Sequence, residues 1–323
     1  MAGFPASSEG KEENVKGNGK FMRKKLLAVL MMAGLSWSAA AQGKKVLVVT
    51  TTTGFRHSSI PTAEKVLGQL AKQSGAFTVD YVSQPPNEPK RPQKPKDGAD
   101  AAAQEKFKAE EAQYNAARKA WGEEMKKVLT KLSPQSLKQY DGVIFANTTG
   151  DLPLPDPQGF LDWIKEGHGF VGMHSASDTF HGFRPYIEML GGEFQSHGAQ
   201  VSVDADNEDQ QCAACRHLGG KWTVYDEIYI IKSFDRTKVH SLLSLDAEPN
   251  KKTPGYYPIS WIKEYGKGRV FYTSLGHRED VWDKEFPNRK NDPKVAEDYQ
   301  KHILGGIKWV LGLETCNPKP QAK

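Results

Sequence analysis

The stretch that most constrains the fold is residues 167–180, GHGFVGMHSASDTF. Phe170-Val171-Gly172-Met173 is a short unbroken apolar run, the pattern of a strand covered on both faces. A polar cluster follows at once, His174-Ser175-Ala176-Ser177-Asp178-Thr179. Strands of this kind belong to parallel sheets flanked by helices, where ligands bind just beyond the carboxyl ends of the strands. His174, Ser175 and Asp178 are therefore delivered where chemistry is done, although Ser177 or Asp178 would also suit the cap of a following helix. The string Gly172-Met173-His174-Ser175-Ala176 has the form of the elbow that presents a catalytic nucleophile, with histidine in the nucleophile's place and Ser175 one residue late. Covalent catalysis through a hydroxyl or thiol is disfavoured here. Neither GxGxxG nor GxxxxGK(S/T) follows any expected strand, so no nucleotide cofactor is expected.

Other segments repeat this grammar. Residues 44–50 (KKVLVVT) read as the first strand of a parallel sheet, residues 60–74 as a helix with apolar positions Ile60, Ala63, Val66, Leu67 and Leu70, and residues 77–82 as the second strand. Residues 85–96 carry repeated Pro and Lys, which suits an extended connection. Residues 97–132 have helical composition, with Tyr114, Ala117, Trp121, Met125, Val128 and Leu132 on one side. Residues 140–147 read as a third strand, and a helix through Phe160-Leu161-Trp163-Ile164 leads to the fourth, at 170–173. A helix over 178–190 should break at Pro185. Strands are then expected at 200–203, 227–231, 239–245, 259–263 and 269–273, before a closing helix at 295–311. Alternating βα units followed by a strand-rich insert give the fold class: a doubly wound α/β domain.

Three of the nine histidines, His57, His174 and His277, each follow an expected sheet strand within a few residues. Parallel strands would bring all three to one edge. His197 follows the elbow helix, and His181 sits one turn after the elbow. Histidine suits proton transfer near neutral pH and metal ligation alike. No HxH or HExxH spacing fixes a metal geometry, so no metal is required, and a divalent ion held with Asp178 or Glu279 is the alternative. A sugar is usually gripped by polar side chains and an aromatic face, which Trp261 or Tyr229 would supply.

The N-terminus has its own pattern. Met22-Arg23-Lys24-Lys25, an apolar stretch to Trp37, and Ala39-Ala40-Ala41 form the three parts of a secretory signal, too short for a membrane span. Residues 22–41 are thus read as a signal peptide, cleaved after Ala41, and residues 1–21 as a misassigned upstream start or disordered segment. The formal charge is +5, but residues 1–41 hold six of its Lys and Arg and three of its Asp and Glu. The remainder is nearly neutral, and no basic stripe with interleaved aromatics argues for nucleic acid. Export implies an oxidising compartment, periplasmic or extracellular. Among the three cysteines, the CxxC spacing suggests a local Cys212–Cys215 disulfide with Cys316 free. The expected domain runs over 42–316, followed by a tail at 317–323.

Taken in order, Gly54-Phe55-Arg56-His57, Gly172-Met173-His174-Ser175-Ala176 with Asp178, and Gly191-Gly192-Glu193-Phe194 with His197 resemble the ThuA-like trehalose-utilisation family. Asp226-Glu227 with Tyr229, Pro258 with Trp261, and residues 266–272 leading to Gly276-His277 continue the resemblance, which spans roughly 44–313. The segment 83–132 is enlarged relative to that family, and Cys212-Ala213-Ala214-Cys215-Arg216-His217 departs from its usual His-Pro-Ala-Thr. The resemblance implies a flavodoxin-like, class I glutamine amidotransferase-like sheet with helices on both faces, without glutamine hydrolysis because His174 replaces the nucleophile. It also implies a role in disaccharide catabolism beside a sugar dehydrogenase that makes 3-keto-sugars. A 3-keto group acidifies neighbouring C–H bonds, so a placed acid and base suffice for isomerisation or elimination beside it, which makes a sugar isomerase, lyase or hydrolase the expected enzyme type. His174, Asp178, His57 and His277 are the expected catalytic residues, and Arg56, Ser175, His197, Glu227 and Trp261 the expected substrate contacts. The other readings are a non-catalytic carbohydrate-binding protein and a metal-dependent hydrolase.

Overall fold

The apolar run after Lys45 does what its composition dictates: Val46, Leu47, Val48 and Val49 are all covered, inside the first strand, β1 (Lys44–Val49). The structure, a computed structural model, describes residues 43–321. The expected signal peptide, the segment before it and the last two residues of the tail lie outside the described residues. After β1 come α1 (Ile60–Ser74), β2 (Phe77–Val82), α2 (Ala101–Leu129), α3 (Pro134–Leu137), β3 (Gly142–Ala146), α4 (Pro157–Lys165), β4 (Gly169–Met173) and α5 (Arg184–Leu190). The later half holds β5 (Glu193–His197), β6 (Val201–Asn207), β7 (Lys221–Asp226), β8 (Tyr229–Lys232), β9 (His240–Ala247), β10 (Pro254–Tyr265), β11 (Gly268–Thr273), α6 (Glu279–Trp282) and α7 (Pro293–Val310).

Nine strands form one sheet in the order β2-β1-β3-β4-β11-β10-β9-β6-β7, and β5 pairs with β8 beside it. The half from β2 to β11 is parallel; from β11 to β7 every neighbour is antiparallel. The strand-rich stretch between β4 and β11 thus widens the same sheet. One apolar layer takes Ala63, Val66, Leu67 and Leu70 of α1 with Ile303 and Ile307 of α7. A second takes Trp121 and Met125 of α2, Phe160, Leu161 and Ile164 of α4, and Met189 and Leu190 of α5. Among the described residues no helix is long and apolar enough to cross a membrane.

Several boundaries differ from the sequence reading, each for a local reason. Pro185 does not break a helix from 178 but lies in the first turn of α5. There its missing N–H would have had no helical partner. In α2 the buried side begins at Trp121, whereas Ala117 is exposed. The strands β5 and β7 occupy stretches with no expected strand. Residues 317–321 bind back: the His240 Nδ1–H donates to the Lys319 carbonyl at 2.7 Å, and Gln321 Nε2 donates to Ser241 O at 3.2 Å.

The cysteine pairing is also corrected. Cys212 bonds to Cys316, 104 residues away, and Cys215 is free and buried. Residues 212–215 form a tight turn in which the Cys215 and Arg216 amides both donate to Cys212 O at 2.9 Å. That turn sends Cys215 inward, 3.8 Å from the ring of His302, and burial pushes its thiol pKa up. Closing so long a loop restricts the unfolded chain, so Cys316→Ser should cost on the order of 2–4 kcal/mol. The denaturant midpoint should fall to the same value for that variant as for the reduced wild type. An unchanged midpoint would refute this account.

His302 generates a second prediction. Its Nδ1–H donates to Ala214 O at 2.9 Å, and burial holds its pKa down at about 3 against an ordinary 6.5. The unfolded chain takes up this proton below 6.5 and the folded chain does not until about 3. Stability should therefore fall with pH across that window, by up to about 1.4 kcal/mol per pH unit. The stability difference between wild type and His302→Gln should shrink as pH drops from 7 to 4. If it holds constant, His302 is not the group responsible.

Candidate active site

Register sets the site. Ala146 pairs with Met173, and Met173 with Thr273, so β3, β4 and β11 end in one row. The next residues are Asn147, His174 and Ser274, while the loop after β1 brings His57 to the same edge. Ser59 Oγ donates to Gly276 O at 3.2 Å, and Asn147 Nδ2 donates to both Ser59 Oγ and Gly276 O at 2.9 Å. Buried hydroxyl and amide groups thus staple the β1–α1 loop to the loop after β11.

His174 is held with particular force. It sits at φ 48°, in the left-handed region, and opens a single 3₁₀ turn over His174–Asp178. A side chain there costs roughly 1–2 kcal/mol, which the surroundings offset. The Tyr272 hydroxyl donates to His174 O at 2.8 Å, and the His174 Nδ1–H donates to Ser274 O at 2.7 Å. Behind the turn, a Cβ on Gly172 would lie 3.0 Å from Leu190 and 3.3 Å from Ala176, which accounts for the small residues flanking the histidine. Because Nδ1 carries the proton, Nε2 presents a lone pair.

That lone pair faces His57 Nε2 at 3.2 Å. His57 Nδ1 is 3.3 Å from Ser175 Oγ. Glu227 closes the group: its Oε2 is 3.2 Å from His277 Nδ1 and 3.8 Å from His174 Nε2. The His277 contact attracts charge but misses hydrogen-bond alignment, which leaves that buried nitrogen without a good partner. The other oxygen, Oε1, is 3.0 Å from His197 Nδ1. The neighbouring Asp226 carboxylate accepts the amides of Gly276 at 2.7 Å and Arg278 at 3.1 Å, gripping the loop on both sides of His277. Tyr229 packs its ring 4.3 Å from that of His174.

The electrostatics separate inner from outer groups. Burial, then the charge of His277, lowers His57 to about 4. Burial, then His57 and His277, holds His174 well below its ordinary value. Both are neutral imidazoles at pH 7. Burial opposes charge on His277 too, but Glu227 outweighs it and raises the pKa. Burial would raise Glu227, yet the close contact and charge of His277 and the charges of His197 and His57 bring it down.

One ligand atom from each of His57, His174, Glu227 and His277 lies within 4.8 Å of all the others. Two nitrogens on a tetrahedral ion at about 2.0–2.1 Å are about 3.3 Å apart, close to the 3.2 Å between the two Nε2 atoms. A donor set of three imidazoles, two of them held neutral, and one carboxylate suits zinc or a similar divalent ion.

The expected site residues divide accordingly. His57, His174, His277 and Glu227 converge; Ser175 and His197 touch the group through His57 and Glu227. Asp178 instead meets His181 Nε2 at 2.5 Å, whose Nδ1 is 2.7 Å from Glu193, so this trio pins the elbow to β5. Arg56 turns back to Thr50 O at 2.9 Å. Trp261 does not offer a sugar a face: it is fully buried, donates its indole N–H to Leu190 O at 2.8 Å and packs on Tyr272. The residues to which sequence reasoning assigned no role are Asp226, Asn147 and Tyr272, which position the converging side chains, and the exposed Phe55 beside His57. Phe55, Asp226 and Tyr272 had a signal in their places within the motifs 54–57, 226–229 and 266–272; Asn147 had none beyond its place at a strand end.

Comparison with known proteins sets this geometry in a family. A ThuA-like protein of Parabacteroides merdae is 18% identical, with a TM-score of 0.59 over 86% of this chain and 96% of its own. A ThuA-like protein of Bacteroides uniformis is likewise 18% identical, with a TM-score of 0.54 over 84% of this chain and 93% of its own. At such identities the likeness is one of fold. No curated protein matches in sequence. The model of the ThuA family, described as trehalose utilisation, matches residues 96–310, well over half of the 323. This chain belongs to the ThuA family.

Proposed function

We propose that this chain is an exported enzyme of sugar catabolism that acts on a keto-sugar glycoside at a divalent metal held by His57, His174, Glu227 and His277. The carrying observation is the convergence of three imidazoles and one carboxylate, two of the imidazoles being kept neutral by burial. The scaffold is read as doubly wound and amidotransferase-like. The family's link to trehalose utilisation supports a disaccharide substrate, and the 3-keto group would come from a partner sugar dehydrogenase. The Cys212–Cys316 bridge supports the reading of export, since such bonds persist in oxidising compartments.

When bound, the ion would polarise a substrate oxygen, the carbonyl or hydroxyl beside the C–H bond to be broken. Proton movement then falls to His197 rather than to His174 with Asp178. Asp178 is committed to His181, and both His174 nitrogens are engaged. Glu227 faces His197 Nδ1, while the ring is 44% exposed at the mouth of the site. Its Nε2 can exchange a proton with substrate while Glu227 steadies the charge.

Protein dialysed against zinc and freed of excess should retain one ion per chain by elemental analysis. With 3-keto-trehalose and related 3-keto-glycosides, NMR should show conversion that chelator abolishes. His174→Ala should lose the ion, and with it turnover, by on the order of 10²-fold or more. His174→Gly should be equally inactive yet more stable than His174→Ala by about 1 kcal/mol, because glycine accepts the left-handed backbone freely. Failure to retain zinc, manganese or cobalt ends the metal reading. Binding of these sugars without conversion makes the chain a binding protein instead.

A further inference from the structure

We infer that Phe55 is the stacking platform for a pyranose ring entering the site, an inference that rests on the sugar reading above. Among the described residues only two large apolar side chains stand exposed, Phe55 at 66% and Leu313 at 45%. Leu313 lies just after α7, at the end of the domain. Phe55 instead abuts the centre: its ring lies 4.8 Å from that of His57 at 82° between planes. His57 in turn meets the rings of His174 at 4.7 Å and His277 at 5.2 Å. Phe55 is thus the outermost member of a file of rings that leads from solvent to the converging ligands.

Its exposure is enforced by the backbone. Thr149 Oγ1 donates to Phe55 O at 2.7 Å, and the Thr53 amide donates to Thr149 O at 3.0 Å. A Cβ on Gly54 would lie only 3.1 Å from Thr149 Oγ1, so the two loops are in close contact just before the ring. Immediately after it, Arg56 is tied to Thr50 O. An apolar ring on a slack loop would fold back onto the protein; this one is held out.

Shape and chemistry select the ligand. One isolated ring is too small an apolar surface for a protein partner, which needs a contiguous patch. It matches one face of a pyranose, whose axial C–H bonds carry slight positive charge and meet the negative face of the ring. Half-exposed His197 and the partly exposed His277 supply polar partners for the hydroxyl rim. The aromatic face expected of Trp261 or Tyr229, both buried, is thereby assigned to Phe55.

The test is calorimetric titration of zinc-loaded protein with trehalose and 3-keto-trehalose. Phe55→Ala should weaken binding by on the order of tenfold, at unchanged zinc content and unchanged circular dichroism. Phe55→Tyr and Phe55→Trp should restore it, and Leu313→Ala should leave it as in wild type. Equal affinity in Phe55→Ala and wild type overturns the platform while the sugar reading stands. Loss of zinc from Phe55→Ala also overturns it, because the ring would then serve only to seat His57. A wild type that holds zinc but binds neither sugar overturns the sugar reading and the platform together.

Discussion

Everything at the centre depends on the common termination of the parallel strands. With Ala146, Met173 and Thr273 in register, the following residues, Asn147, His174 and Ser274, stand side by side. Only that alignment lets the His174 imidazole donate to a carbonyl on the next strand and turn its other nitrogen toward His57. A one-residue slip in β4 or β11 would reverse the side chains between the two apolar layers and would remove the acceptor. The site is therefore as rigid as the sheet, and the left-handed backbone at His174 persists because the sheet, Tyr272 and Leu190 leave the turn no alternative.

The same geometry explains which parts of the site could be read beforehand. His57, His174 and His277 were legible because each follows a strongly apolar run, and parallel strands must end together. The position of Glu227 was not. The sequence Lys221-Trp222-Thr223-Val224-Tyr225-Asp226 alternates in burial, as a one-sided strand does. With no strand read there, the strand expected at 227–231 took in Glu227, which in fact lies between β7 and β8. Asp226 and Glu227 are thereby delivered at a chain turn, where carboxylates can reach both the amides around His277 and the imidazoles. The strand β5, Glu193-Phe194-Gln195-Ser196-His197, is mostly exposed and has Phe194 as its single apolar residue, too little for an alternating pattern.

Errors over single residues have a shared origin, since spacing along the chain does not say which way a side chain points. Cys212 and Cys215 are close in sequence, but the turn between them sends Cys215 into the core while Cys212 meets the C-terminal tail. Trp261 fails as an exposed aromatic face for the same reason. A tryptophan in a strand covered on both faces satisfies its N–H on a carbonyl and disappears from solvent, whereas a phenylalanine on a stapled loop remains outside.

The two oxygens of Glu227 face opposite ways, one inward to His174 and His277 and the other outward to His197. A single charge is thus divided between two compartments. The inner imidazoles and the ring at the mouth therefore lean on one and the same side chain. Any rearrangement that turns this carboxylate to improve one contact must loosen the other, so the interior and the entrance cannot be reshaped independently.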